Sequence, residues 1–236
     1  MTSIHTVPKT EVLRLANPFA VGGRRLCYVH PEEPGKCIKV LRVDEHRTVR
    51  SVQKWGVLTR FRRAYDNNAD EQRALKCLFR RIGPLAARHF PTSYGMVATD
   101  RGPGLVLDLI RDHDGGISRS VRELITIGLN VESLQTAYDE FAAFLLEHVV
   151  VTRSILDHNI AVQFRVDGSA RMYLIDGIGD PAWLPIRQWI PSLGRARIRQ
   201  RIATGWKKFL LVQSRGGVSQ AVREQSHWGQ GLLNYR

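Results

Sequence analysis

VTRSILDHNIAVQFRVDGSARMYLIDGIGD, residues Val151 to Asp180, holds two strand-like runs separated by a turn. Two runs inside it, "NIAVQFRV" and "ARMYLID", alternate with period two around Asp167-Gly168, the pattern of a β-hairpin. Asn159 enters the first strand and Asp176-Gly177 leaves the second. A hairpin brings these two ends side by side, so an amide oxygen and a carboxylate emerge together. Hard oxygen donors of this kind suit a Mg²⁺ ion that bridges phosphates. The plainer alternative is a capping Asn and an Asp-Gly turn. Ser154 stands five residues before Asn159, behind Thr152-Arg153.

Working outward, "LQTAYDEFAAFLLEHVV" is the strongest helix pattern, with Leu134, Ala137, Tyr138, Phe141, Phe144 and Leu145 on one face. "SRSVRELITIGL" predicts a short helix capped by Ser118 or Ser120. Upstream, "AVGGRRLCYVHPEEPGKCIKVLRV" predicts a Gly-Gly turn followed by two strands, the end of a three-strand meander. "NADEQRALKCLFRRI" predicts a helix capped by Asn68 or Asp70, and "TSYGMVATD" with "GPGLVLDLI" predicts a hairpin. From about Pro181 onward the chain reads as helical and basic.

The order is strands, one helix, strands, then helices around an embedded hairpin. It predicts an α+β, two-lobed fold of the protein-kinase type. Residues 1–110 form a small β-rich N-lobe that covers a nucleotide, and residues 111–236 a reduced, mainly helical C-lobe with the hairpin and basic C-terminal helices. Lys39 in "CIKV" occupies the place of the kinase V-A-I-K lysine. A lysine inside an apolar strand needs an anionic partner, unless it points to water at a strand edge. Glu71, near the start of the next helix, can be that partner, or be an ordinary first-turn acid beside Asp70. Gly22 and Gly23 stand where a phosphate-covering loop belongs, although the full G-x-G-x-x-G is absent. If that loop covers phosphates, Arg24 and Arg25 add charge-assisted donors.

The stretches "GGRRLCYVHPEEPGKCIKV", "GMVATDRGPGLVLDLIRDHDG", "VVVTRSILDHNIAVQ" and "LIDGIG", with a weaker match in "WIPSLGRARIRQRIATGWKKF", resemble the PhoP regulatory network protein family of the YrbL type. This bacterial family is protein-kinase-like. The resemblance implies ATP and Mg²⁺ as cofactors and a place in a bacterial response network. On the matching positions, Lys39 would hold the α- and β-phosphates and Glu71 would orient it. Asn159 and Asp176 would hold Mg²⁺, and Asp108 to Ile110 would form the hinge that hydrogen-bonds adenine. Ser154 falls where a kinase carries its catalytic Asp, and Leu156 where many carry a lysine for the γ-phosphate. A serine hydroxyl is no base near neutral pH. Asp157, His158 and Asp180 are the nearby surrogates, although a polar turn before the strand explains Asp157 and His158 more plainly.

Three readings follow. The first is an atypical ATP-dependent phosphotransferase with catalytic candidates Ser154 and Asp157, acting on a protein or small-molecule phosphoacceptor. The second is a pseudokinase that binds nucleotide and regulates or scaffolds a partner. The third, a nucleic-acid binder using "RARIRQR" and "WKKF", has no recognised binding signature behind it. The formal net charge is +13, and from Arg187 onward ten Lys or Arg face a single acid, Glu224. Such a surplus attracts an anionic partner. The start has no signal-peptide pattern and no apolar run is long enough to span a bilayer, so the expected location is cytoplasmic. Cys27, Cys37 and Cys77 form no CxxC pair and are expected to be buried reduced thiols.

Overall fold

A computed structural model describes residues 12–22, 25–42, 67–179 and 191–217. Gly23, Arg24, Asp180 and the basic tail beyond residue 217 lie outside the described residues. The first half is built from β1 (Ala20–Val21), β2 (Arg25–Val29), β3 (Lys36–Leu41), α1 (Asn67–Ile82), β4 (Ser93–Thr99) and β5 (Gly102–Asp108). The strands form one antiparallel sheet in the order β1-β2-β3-β5-β4. The meander is present, but its first strand is only two residues long. The preceding segment crosses to the far edge instead, where Leu13 N donates to Ala98 O and Asp100 N to Leu13 O, both at 3.0 Å.

Strand parity sorts the sheet into two faces. Cys27 lies opposite Lys39, Tyr28 opposite Ile38, and Arg25 opposite Leu41. Tyr28, Ile38 and Val40 therefore share one face, where they pack with Leu15 and Val106. Arg25, Cys27 and Lys39 share the other, the face toward α1, whose Leu75 and Leu78 join Leu105 and Leu107 in the main core. Gly104 is required where β5 crosses β3, since a Cβ there would lie 2.3 Å from Ile38 Cγ2. Cys77 is exposed, contrary to expectation, because it falls off the α1 stripe of Glu71, Leu75 and Leu78; Cys37 is buried and Cys27 half-buried.

The second half holds β6 (Arg119–Ser120), α2 (Val121–Thr126), α3 (Gln135–Glu147), β7 (Ile160–Phe164), β8 (Ala170–Leu174) and α4 (Pro191–Ser214). Ser120, not Ser118, caps α2, with Glu123 closing a capping box. The β6-β7-β8 sheet shares the main core with α3 through Phe141, Leu145, Ile160, Val162, Met172 and Leu174, all at or near zero exposure. Burying each such side chain contributes roughly 1.5–3 kcal/mol. The helix α4 buries Ile198 and Phe209 and rests Trp206 against Tyr138, with Arg195 and Arg199 left in solvent. Among the described residues, no helix is long and apolar enough to cross a membrane.

The connection between the halves is stapled to the β2–β3 turn. Leu109 N donates to Gly35 O at 2.9 Å. Arg111 Nε and Nη2 donate to Pro34 O at 3.0 and 2.8 Å, and Arg111 Nη1 to Gly115 O at 2.7 Å. Arg111→Ala is expected to speed hydrogen exchange at the Leu109 amide roughly tenfold, because a charge-assisted bond contributes about 1.5 kcal/mol. Unchanged protection would mean that the arginine holds nothing there.

Candidate nucleotide and metal site

Lys39 is buried on the inner face of β3, and its ammonium has two acceptors. One is Glu71 Oε1 at 2.8 Å, the other Ile175 O at 2.5 Å. The second bond joins the N-terminal sheet to the residue that precedes Asp176. Glu71 turns inward from the first turns of α1 and is itself buried. Its neighbour Asp70 faces outward toward Arg73 and Arg153, at 3.4 and 3.8 Å. The ambiguity between the two acids is thereby settled in favour of Glu71 as the lysine's partner.

Arg25 is the residue that sequence reasoning misplaced. It does not stand in the glycine turn as a loop donor. It is buried in β2, with Nη1 hydrogen-bonded to Glu71 Oε2 and Nη2 2.7 Å from Asp176 Oδ2. Burial works against its charge, yet the carboxylates of Glu71 and Asp176 drive its pKa further up. Strand parity could have found it, since residue 25 lies on the same face as residue 39. Asn68, read as a helix cap, is inside α1 and fully buried. Its Nδ2 donates to Lys39 O at 2.8 Å, and its Oδ1 accepts from Arg25 Nη1 at 3.4 Å.

Asp176 has half of its side chain open to solvent, 53% exposed, while Arg25 and Glu71 are closed in. Desolvation tends to raise its carboxyl, but the charges of Arg25 and Lys39 outweigh that and bring it down to about 2. Asp176 is therefore an anion at any physiological pH. Asn159 lies beside it across Gly177. A Cβ on Gly177 would be 3.1 Å from Asn159 Nδ2, 3.4 Å from Ser154 O and 3.5 Å from Ser154 Oγ, and its φ of +77° already favours glycine. Arg153 N donates to Gly177 O at 2.9 Å, and Ile175 N to Asn159 O at 2.8 Å. Ser154 and Asn159 thus pack together against Gly177, the residue after Asp176.

This donor set fits a hard divalent cation in one respect: it offers one carboxylate and one amide. The remaining ligands would be phosphate oxygens and water, as is usual for Mg²⁺. Among the described residues, no three His, Cys, Asp or Glu side chains form a complete cage.

The other candidates are placed as follows. Gly22 turns tightly, its N donating to Arg25 O at 2.8 Å. Asp157 is buried and held by Arg122, whose Nε and Nη2 reach its two oxygens at 2.5 and 3.0 Å. Burial pushes the Asp157 carboxyl up, but His158 and Arg122 hold it well below the usual carboxylate range. It is an anchor for α2 and not an open base. Asp108 spends its carboxylate on Thr92 N and Tyr94 OH, both at 2.7 Å. Its amide donates to Thr92 O, Leu109 N to Gly35 O, and Ile110 O accepts from Ser118 N. Much of the hinge backbone is therefore committed within the fold.

A lysine on β3 paired to a helix glutamate, under a sheet of order 1-2-3-5-4, and an Asn and Asp-Gly at neighbouring ends of a hairpin define a protein-kinase-like domain. The chain belongs to the PhoP regulatory network protein YrbL family, whose model matches residues 12–210. It is 25% identical over 200 residues to the uncharacterized protein YrbL of Escherichia coli (strain K12), covering 82% of this chain and 83% of that one. The same figures hold for YrbL of Shigella flexneri. A solved kinase domain superposes with a TM-score of 0.42 at 16% identity, over 69% of this chain. The chain spans about half, 49%, of that solved protein.

Proposed function

We propose that this protein binds ATP with Mg²⁺ and acts as an atypical phosphotransferase within a PhoP-type regulatory network. The observation that carries the reading is the closed Lys39–Glu71 pair, set directly beside Asp176. An ammonium has three protons. Glu71 and Ile175 O take two, which leaves one for a phosphate oxygen. When bound through Asp176 and Asn159, Mg²⁺ would supply charge neutralisation at the phosphates. Gly22 would border the phosphates from the β1–β2 side. Ser154 Oγ can orient an acceptor hydroxyl but cannot take its proton, so transfer would rest on positioning and electrostatics.

The pseudokinase reading is favoured by one observation. Asp157, the nearest carboxylate on the loop, is locked to Arg122 and cannot stand in for the missing Asp. A thermal-shift titration with ATP tests the binding claim. A rise in melting temperature that needs Mg²⁺ and disappears in Lys39→Ala is expected; no rise in the wild-type protein would sink it. ATP turnover abolished by Asp176→Ala would then select the enzyme, and binding without any turnover the pseudokinase.

A further inference from the structure

We propose that Arg25 is a gate on the metal position: its guanidinium occupies Asp176, and a divalent cation binds there only when phosphate gives Arg25 another partner. The proposal rests on the nucleotide reading above and adds to it a rule of admission. The site would accept a metal–polyphosphate complex and reject the free metal.

The geometry gives the reason. Asp176 Oδ2, the oxygen that Nη2 of Arg25 approaches at 2.7 Å, lies on a carboxylate that is half open to solvent. The same guanidinium is bound to Glu71 through Nη1. Glu71 in turn holds Lys39. Two cations and two carboxylates therefore form a neutral group, closed in except at Asp176, with no charge left over for a metal. A divalent cation arriving alone would face the guanidinium across one shared oxygen, and like charges so close repel strongly. A phosphate chain changes the balance, because guanidinium pairs with phosphate as readily as with carboxylate. Arg25 can then turn from Asp176 toward the phosphate and free the oxygen.

The test uses Mn²⁺ alone as probe, with free ion measured by electron paramagnetic resonance and no nucleotide present. Arg25→Gln is expected to bind Mn²⁺ at least tenfold more tightly than wild type, and Arg25→Gln/Asp176→Asn to lose that gain. Arg25→Met keeps the apolar stem and removes the charge, so it should also tighten Mn²⁺ binding. It is the variant to read if Arg25→Gln does not fold. Mn²⁺ affinity unchanged from wild type in a folded Arg25 variant would overturn the gate. ATP titration of the same proteins separates the two claims. ATP binding with unaltered Mn²⁺ affinity sinks the gate alone, whereas absence of ATP binding in every protein sinks the nucleotide reading together with it.

Discussion

Glu71→Ala is expected to lower stability by about 3–5 kcal/mol, the range for removing one partner from a buried ion pair. The loss is large because Glu71 serves two cations. Lys39 Nζ and Arg25 Nη1 each lose a carboxylate oxygen, and both are buried. Among the described residues, Lys39 would keep only Ile175 O, and Arg25 only Asp176 and the weaker contact to Asn68. Urea unfolding at neutral pH measures the change. The double variant Glu71→Ala/Lys39→Met should recover part of the loss, since it removes a cation that the single variant leaves stranded. Strict additivity of the two single changes would mean that the residues are not coupled. A loss under about 1 kcal/mol would place the cluster among solvated surface pairs, against the burial observed.

Arg122→Ala is expected to be nearly as costly, about 3 kcal/mol, because it removes the bidentate partner of the buried Asp157 carboxylate and leaves it the longer contact to His158. The pH dependence gives the prediction its sign. Asp157 is depressed in the folded protein, so its pairing contributes fully above the unfolded carboxylate range near pH ~4. The contribution fades as pH falls below that range toward the folded value. Wild type and variant should therefore differ most at pH 7 and converge in acid. A gap in unfolding midpoint that stays constant from pH 7 to pH 3 would contradict a charge-based role. It would point to the packing of the arginine stem instead.

The sequence made the hairpin, the long helix α3 and the Lys39–Glu71 pair legible through local periodicity. Lys39 lies in mid-strand, where the period of two turns it inward, while Glu71, Asn159 and Asp176 lie near element ends whose register the flanking patterns fix. What it hid were partnerships across distance. Arg25 was read by its neighbourhood in a glycine turn, although its partners Glu71 and Asp176 are far along the chain. Asp157 looked like part of a polar turn because Arg122, its counter-ion, belongs to another element. Asn68 resembled a helix cap, a role that its composition allows and its buried bond to Lys39 O replaces. Cys77 was taken for a core thiol on residue type alone. The commitment of the Asp108 and Leu109 amides to Thr92 and Gly35 depends on tertiary pairing that no local pattern shows.

The Arg111 staple has a mechanical consequence. With Pro34 O and Gly35 O both bound to the connecting segment, and Gly115 O closing it on itself, the β2–β3 turn and the connector are tied into one block. A change at Arg111 would therefore be felt in both halves at once, because one side chain links the turn of the first sheet to the segment that leads into the second.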